Sequence, residues 1–370
     1  MATDPRAGGD EADRRFMAAA IRLSRRNLGL TATNPSVATL IVRDGVIVGR
    51  GVTAIGGRPH AEPQALAEAG ELAAGATAYV TLEPCAHHGR TPPCAEALVA
   101  AGVARVVGAA SDPDPRVSGR GYAILRRAGI AVVENVLADE AGDQLAGYLT
   151  RSRLKRPEVT LKLAVSSDGM IGRRGAGQVA ITGPISRRQV HAMRAEASAI
   201  LVGIGTALAD DPELTCRLPG LEARSPARIV LDAGLRLPPS SKLAATAREV
   251  PVLLASSIDA GAARRAALAA LGVGFLSVEL HEGRIALPEL LEDLAAQGIM
   301  TLMVEGGAET ARHFLDEGLV DRIALFAGAV AIGEGGIAAP VTPQTVPPGF
   351  RLVRLASFGD DSYNEYARTP

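Results

Sequence analysis

Two short stretches, HAE at 60–62 and EPCAHHGRTPPC at 83–94, gather two of the chain's three cysteines and three of its six histidines around the acidic Glu62. His60 with Cys85 and Cys94 makes a three-ligand set suited to Zn2+. Three protein ligands leave the fourth tetrahedral position to water, which separates a catalytic zinc from a closed structural one. Zinc lowers the pKa of such water to about 7, and a nearby carboxylate that is not a ligand can shuttle its proton. Glu62, two residues past His60, suits that role. Cys85 and Cys94 taken alone would equally suit a redox pair, or a closed zinc site completed by His87 or His88. The preceding HAE weighs against both.

These residues need a scaffold that brings 60–62 and 83–94 to one place. The run VATLIVRDGVIVGRGVT predicts two strands joined at Asp44-Gly45, a dipeptide that accepts the positive φ angles of a tight hairpin. From Pro59 onward strand and helix alternate: a helix at 61–70, strands at 77–82, 103–110 and 130–136, and helices at 95–102 and 120–129. His60 then sits where a loop enters a helix and Cys85 where a strand ends, both on the same sheet edge. A first helix ahead of the hairpin carries Phe16, Ala20 and Leu23 at helical spacing, with residues 1–11 as a disordered leader. The polar, basic stretch near 150–156 reads as a link to a second α/β domain. At 370 residues two cores are expected, here 12–150 and 156–370. A net charge of −1 offers no global field for nucleic acid or an anionic membrane, no apolar run is long enough to span a bilayer, and the polar N-terminus lacks a targeting pattern. A cytoplasmic protein is expected.

HAE followed by PC and a second cysteine is the pattern of zinc nucleobase deaminases, although the eight residues between Cys85 and Cys94 replace the usual two. EPCAHHGRTPPC, together with NPSVA at 34–38, closely resembles the deaminase half of the bifunctional pyrimidine deaminase and reductase of riboflavin biosynthesis. Ala38 stands where that family has Gly, and Asp114 where it has Asn. The basic loop of His87, His88 and Arg90 either only shapes the turn or contacts the phosphorylated pyrimidine that the resemblance implies.

In the second half, VEGGAETARHF at 304–314 and GIGTALADDPELTCR at 203–217 are each compatible with a plain turn when taken singly. In this order, and with LKLAVSSDGMIG at 161–172 and RIVLDAGLRLP at 228–238, they resemble the reductase half of the same family. The resemblance covers nearly the whole chain. It implies a cytidine-deaminase-like three-layer α/β/α domain followed by a dihydrofolate-reductase-like α/β domain, with Zn2+ and NADPH as cofactors and a homodimer formed through the reductase domain. By position it implies that Arg194, Asp210, Leu214, Arg217 and Glu305 bind substrate. It implies NADPH contacts at Val165, Ala180, Thr206, Gly307, Ala308, Glu309 and Thr310. One segment departs: where the family commonly has Ser-x-Trp-Ile-Thr this chain has QVAIT, with Gln178 for Ser and Ala180 for Trp. The resulting expectation is zinc-dependent deamination of a phosphoribosylaminopyrimidine followed by NADPH reduction of its ribosyl group. The alternatives are a deaminase of another nucleobase or nucleotide with an inactive reductase-like domain, a nucleic-acid deaminase, and a binding protein with structural zinc. The nucleic-acid reading lacks a basic face.

Overall fold

The computed structural model describes residues 5–88 and 92–369, and the chain divides into two compact units, Met1–Lys155 and Arg156–Pro370. The first unit runs α1 Pro5–Ser24, β1 Ala38–Arg43, β2 Val46–Val52, α2 Ala61–Ala69, β3 Thr77–Leu82, α3 Cys94–Ala100, β4 Arg105–Ala110, α4 Arg120–Arg127, β5 Ala131–Val133, α5 Ala138–Gln144 and α6 Ala146–Leu154. Asp44 and Gly45 adopt φ of 51° and 76°, closing β1 and β2 as the expected hairpin. The sheet order is β2-β1-β3-β4-β5, with β3, β4 and β5 parallel. β3 and β4 are buried along almost their full length, which requires cover on both faces. The pair α1 and α5 supplies one layer, and α2, α3 and α4 supply the other. Asp13 ties α1 to the sheet, accepting hydrogen bonds from Tyr79 Oη at 2.9 Å and from the Arg105 guanidinium at 2.7 and 2.5 Å.

Two boundaries differ from the expectation. Helix α1 begins at Pro5, so the leader assigned to 1–11 is helical from residue 5 onward, and residues 1–4 lie outside the described residues. Extending a helix already packed at Phe16 and Met17 costs far less than nucleating one. The link expected at 150–156 is largely helix, because α6 continues to Leu154 and stops only where Lys155 turns left-handed (φ 60°).

The second unit runs β6 Glu158–Val165, β7 Met170–Arg173, α7 Pro184–Glu196, β8 Ala199–Gly203, α8 Ile204–Asp210, β9 Ala227–Leu231, α9 Lys242–Ala245, β10 Val252–Ser256, α10 Ala262–Ala270, β11 Gly274–Ser277, β12 Leu280–His281, β13 Arg284–Ile285, α11 Leu287–Ala296, β14 Thr301–Glu305, α12 Ala308–Asp316, β15 Arg322–Ala327, β16 Gly336–Ala338, β17 Phe350–Phe358 and β18 Asp361–Arg368. Its nine-stranded sheet has the order β11-β10-β9-β8-β14-β6-β15-β18-β17, with every strand parallel except β18, which pairs antiparallel with both β15 and β17. Side chains alternate across it into two cores: Ile200, Val202, Val230, Leu254 and Met303 enter one, and Leu201, Ile229, Leu231, Leu302 and Val304 the other. The unit has the dihydrofolate-reductase-like α/β architecture. The sequence reading missed α8, taken as loop, and the closing hairpin β17–β18.

Candidate active sites

In the first unit, two glycines of β2 set the position of α2. A Cβ on Gly49 would lie 2.1 Å from Ala65 O, and one on Gly51 would lie 1.9 Å from Ala61 O, so the helix backbone rests directly on the strand. His60 is the N-cap of that helix. Gln64 staples the turn by donating to the carbonyls of Val52, Pro59 and His60 at 2.6, 3.1 and 2.9 Å. Cys85 lies in the loop after β3, and Cys94 opens α3. The Cys94 N–H donates to Cys85 Sγ at 3.2 Å, and Ala95 N–H to the Cys85 carbonyl at 3.2 Å.

The three predicted ligands meet. His60 Nδ1 stands 3.4 Å from Cys94 Sγ and 3.8 Å from Cys85 Sγ, and all three ligand atoms lie within 4.8 Å of one another. Ligand atoms about 2.0–2.3 Å from one tetrahedral ion stand roughly 3.3–3.8 Å apart, so the triangle fits zinc. The Cys85 thiol is drawn down to about 4, chiefly by its hydrogen bond with Cys94 and then by His60. The same contact, with burial, pushes Cys94 up. One thiolate is therefore ready at neutral pH, and the second proton leaves as a cation binds. Glu62 is buried in the first turn of α2 beside the Cys94 thiol, and burial raises its pKa. Among the described residues neither His87 nor His88 joins the cluster. His87 Nδ1 is buried without a partner, and His88 pairs with Glu96 at 3.5 Å. Arg90 lies outside the described residues. Asp114 is gripped by Arg116, which holds it at about 2, and Ala38 is fully buried at the start of β1.

Sequence reasoning overlooked Glu83. This buried carboxylate accepts from the backbone N–H of Gly119 and Gly121, both at 3.0 Å, and so fastens the start of α4 to the loop that carries Cys85. A Cβ on Gly121 would fall 2.1 Å from Pro84 O. Gly121→Ala must therefore push the Cys85 loop outward. The expected result is a deamination rate lower by about 10²-fold with reduction unchanged, since misplacing a reacting group by an ångström costs about that much. A normal deamination rate in this variant would show that the loop tolerates the shift.

In the second unit, β8, β14, β6 and β15 are adjacent and parallel, so Gly203, Glu305, Val165 and Ala327 end on one edge. The two Gly-containing turns, weak signals singly, cross there. Gly307 N–H donates to Thr206 Oγ1 at 2.9 Å. A Cβ on Gly306 (φ 126°) would lie 2.9 Å from that same oxygen, and one on Gly203 would lie 2.3 Å from Thr310 Oγ1. Thr206, Gly307, Ala308, Glu309 and Thr310 are thus brought together at the N-terminus of α12, whose first-turn N–H groups suit phosphate oxygens. Val165 is buried at the end of β6. Ala180 is exposed in the segment between β7 and α7, next to Ile181, whose carbonyl lies 2.1 Å from where a Cβ on Gly328 would be.

Of the predicted substrate residues, Arg194 and Glu305 pair with each other, Nε–Oε1 2.8 Å and Nη2–Oε2 2.9 Å, both buried. Burial alone would raise the Glu305 pKa, but Arg194 and Lys162 outweigh it and hold the carboxyl at about 2. Lys162, missed by sequence reasoning, is the register partner of Glu305 on β6, with Nζ 3.9 Å from Oε2, and burial lowers its pKa. Its only signal was a charge inside a strand covered on both faces. Asp210 ends α8, where burial raises its pKa. Arg217 is half-exposed and pairs with Glu213 at 3.0 Å. Leu214 is buried and left-handed (φ 57°), its side chain in the core.

A His/Cys/Cys centre with an adjacent buried carboxylate, joined to a unit whose phosphate-ready turn flanks a buried Arg-Glu-Lys cluster, defines a two-domain deaminase and reductase. Residues 10–110 match the cytidine and deoxycytidylate deaminase zinc-binding region, and residues 157–363 match the RibD C-terminal domain. A riboflavin biosynthesis protein RibD of Aquifex aeolicus is 41% identical over 88% of this chain and 89% of its own. The structure of Acinetobacter baumannii RibD superposes with a TM-score of 0.83 at 37% identity, covering 98% of this chain and 100% of that one. A Thermotoga maritima structure, a diaminohydroxyphosphoribosylaminopyrimidine deaminase/5-amino-6-(5-phosphoribosylamino)uracil reductase, gives 0.85 at 32% identity, covering 97% of this chain and 99% of that one. The chain belongs to the RibD family. It is a bifunctional deaminase and reductase of riboflavin biosynthesis, with Zn2+ and NADPH as its cofactors. Among the described residues no helix is long and apolar enough to cross a membrane.

Proposed function

We propose that the first unit deaminates 2,5-diamino-6-(5-phosphoribosylamino)pyrimidin-4(3H)-one at C2 and that the second reduces the ribosyl group of the product to ribityl. The observation that carries this reading is the His60–Cys85–Cys94 triangle with Glu62 buried against it. When bound, zinc supplies Lewis acidity that activates water near neutral pH, and NADPH supplies the hydride. His60 Nδ1 and the two thiolates hold the metal. Glu62 takes a proton from the attacking water and returns it to the departing amino group, a role that burial favours by keeping its carboxyl easily protonated. In the second unit the turn of Thr206 and Gly307–Thr310, with Val165 and Ala180 at the same edge, receives NADPH. Glu305, fixed by Arg194, together with Lys162, Asp210, Arg217 and the backbone at Leu214, would hold the ribosyl phosphate, and Lys162 would supply the proton that the ribosyl oxygen needs on reduction. The protein acts in the cytoplasm as a homodimer formed through the reductase unit.

Ammonia release and NADPH absorbance, followed separately with the diaminopyrimidine phosphate as substrate, test the reading. Both signals are expected, and the second requires the first unless deaminated intermediate is supplied. Cys85→Ser should lose bound zinc and ammonia release together, as metal analysis of the purified protein will tell. Retention of full zinc would remove Cys85 from the ligand set.

The exposed Ala180 lacks the aromatic wall that a Trp, with about 150–250 Å² of surface to bury, would offer a cofactor. Ala180→Trp should therefore tighten NADPH binding by about 1 kcal/mol, roughly fivefold in Kd. Calorimetric titration of both proteins decides it, and equal affinities would mean that another side chain already fills the space.

A further inference from the structure

Among the described residues Arg228, on β9, is the largest fully buried side chain, and no carboxylate pairs with it. Instead, its guanidinium donates to the carbonyls of Glu213 (3.1 Å), Thr246 (3.0 Å) and Val250 (2.5 Å) and to Thr246 Oγ1 (2.8 Å), while Nε is left without a partner. A cation held in the interior by carbonyls and one hydroxyl, with no carboxylate in contact, is costly.

Three of these bonds fasten Arg228 to residues 246–250, and the fourth, to the Glu213 carbonyl, ties that anchor to the segment 211–217, which carries two of the proposed substrate residues. Asp211 and Leu214 are both left-handed without being glycine (φ 39° and 57°), a strained backbone that persists only where its surroundings hold it. The holds come from several elements, with α7 supplying two of them. Lys242 N–H, at the start of α9, donates to Asp211 Oδ1 at 2.9 Å, and Arg228 takes the Glu213 carbonyl. Arg194 Nη1 takes the Thr215 carbonyl at 3.0 Å, and Cys216 N–H donates to Ser225 Oγ at 3.0 Å. Arg217 N–H donates to His191 Nδ1 at 3.2 Å, and Leu214 plugs into the core. The Arg228 contact falls directly before Leu214, at the more strained half of the turn.

We infer that residues 211–217 form a preorganised specificity loop and that Arg228 is a positioning residue for the reduction step, acting on the pyrimidine phosphate through the Glu213 carbonyl and the left-handed turn at Leu214. This rests on the reductase function proposed above. Without the clamp the loop relaxes from its strained conformation, and the backbone at Leu214 and the Arg217 side chain lose their register toward the substrate, whereas the NADPH turn at Thr206 and Gly307 is untouched. The signature is a change in KM for one substrate only.

The test uses the full-length enzyme, with the deamination rate of the first unit as the internal control for intact protein. Arg228→Gln should raise the KM for the deaminated pyrimidine phosphate by about tenfold or more, with the KM for NADPH within about twofold of wild type. Thr246→Val, near-isosteric and milder, removes one of the bonds that aim the guanidinium and should raise the same KM by about threefold. A merely structural role predicts the opposite split: a lower melting temperature and fewer active molecules at unchanged KM. If Arg228→Gln does not fold, Thr246→Val decides alone. A folded variant with unmoved KM, in an enzyme whose wild type reduces the substrate, overturns the assignment while leaving the proposed function standing. A wild-type enzyme that deaminates yet does not reduce the intermediate removes both.

Discussion

Glu62→Gln should retain its zinc and reduce supplied intermediate at the wild-type rate, while ammonia release falls by about 10³-fold, within the range that a positioned acid-base group contributes. The expectation follows from where the carboxyl stands. It is buried in the first turn of α2, two residues from the ligand His60, and it touches the Cys94 thiol without belonging to the ligand triangle. Glutamine preserves its volume and one hydrogen-bonding oxygen but cannot carry a proton. Metal content, ammonia release and NADPH oxidation measured on one preparation separate the outcomes. Ammonia released at a near-normal rate would require another shuttle, and lost zinc would make Glu62 a support of the metal centre.

Arg194→Met should abolish reduction and destabilise the second unit by about 3–5 kcal/mol, the usual consequence of stranding a buried carboxylate. Deamination and zinc content should persist, since the residue lies in the other unit. The pH dependence sharpens the test. Glu305 is held at about 2, below its ordinary 4.5, so its contribution to wild-type stability is present above about pH 4.5 and is lost as pH falls towards 2. Removing Arg194 raises that pKa, so the variant should lose less stability than wild type over the same acid range. Unfolding curves of the second unit between neutral and acid pH read this directly, and parallel curves for the two proteins would mean that Lys162 alone carries the charge compensation.

The zinc centre was legible in the sequence because its chemistry depends on rare residue types. Two of three cysteines and half of the histidines in one stretch leave few other readings, and the strand and helix alternation put His60 and Cys85 on one edge. What holds that centre was not legible. Glu83 and Gly121 are 38 residues apart in the chain, and although the alternation implied that β3 and β4 are parallel neighbours, no local pattern announces that the carboxylate would cap the start of α4. Lys162 looked like an ordinary strand residue until the register set it beside Glu305. Helix α8 escaped because GIGTALAD opens with glycines, the mark of a turn, yet Gly203 is needed there only to admit Thr310. The hairpin β17–β18 was hidden for another reason: β17 is half-exposed and carries Arg351 and Arg354 among its apolar residues, so its alternation is blurred.

The crossing of the two turns in the second unit bears on how this site can change over time. The threonine of each turn occupies the space that a side chain on the other turn's glycine would need, Thr206 against Gly306 and Thr310 against Gly203. Gly306 is barred from a side chain by its backbone (φ 126°) as well as by Thr206, Gly203 can acquire one only if Thr310 shrinks in the same lineage, and Thr206 cannot be exchanged for a larger residue without closing on Gly306. Segments about a hundred positions apart are therefore bound to one mutational fate. Drift that is free elsewhere on the surface can pass Gly203 only in a coordinated double step with Thr310, and a domain shuffled in from a relative must bring both turns or neither.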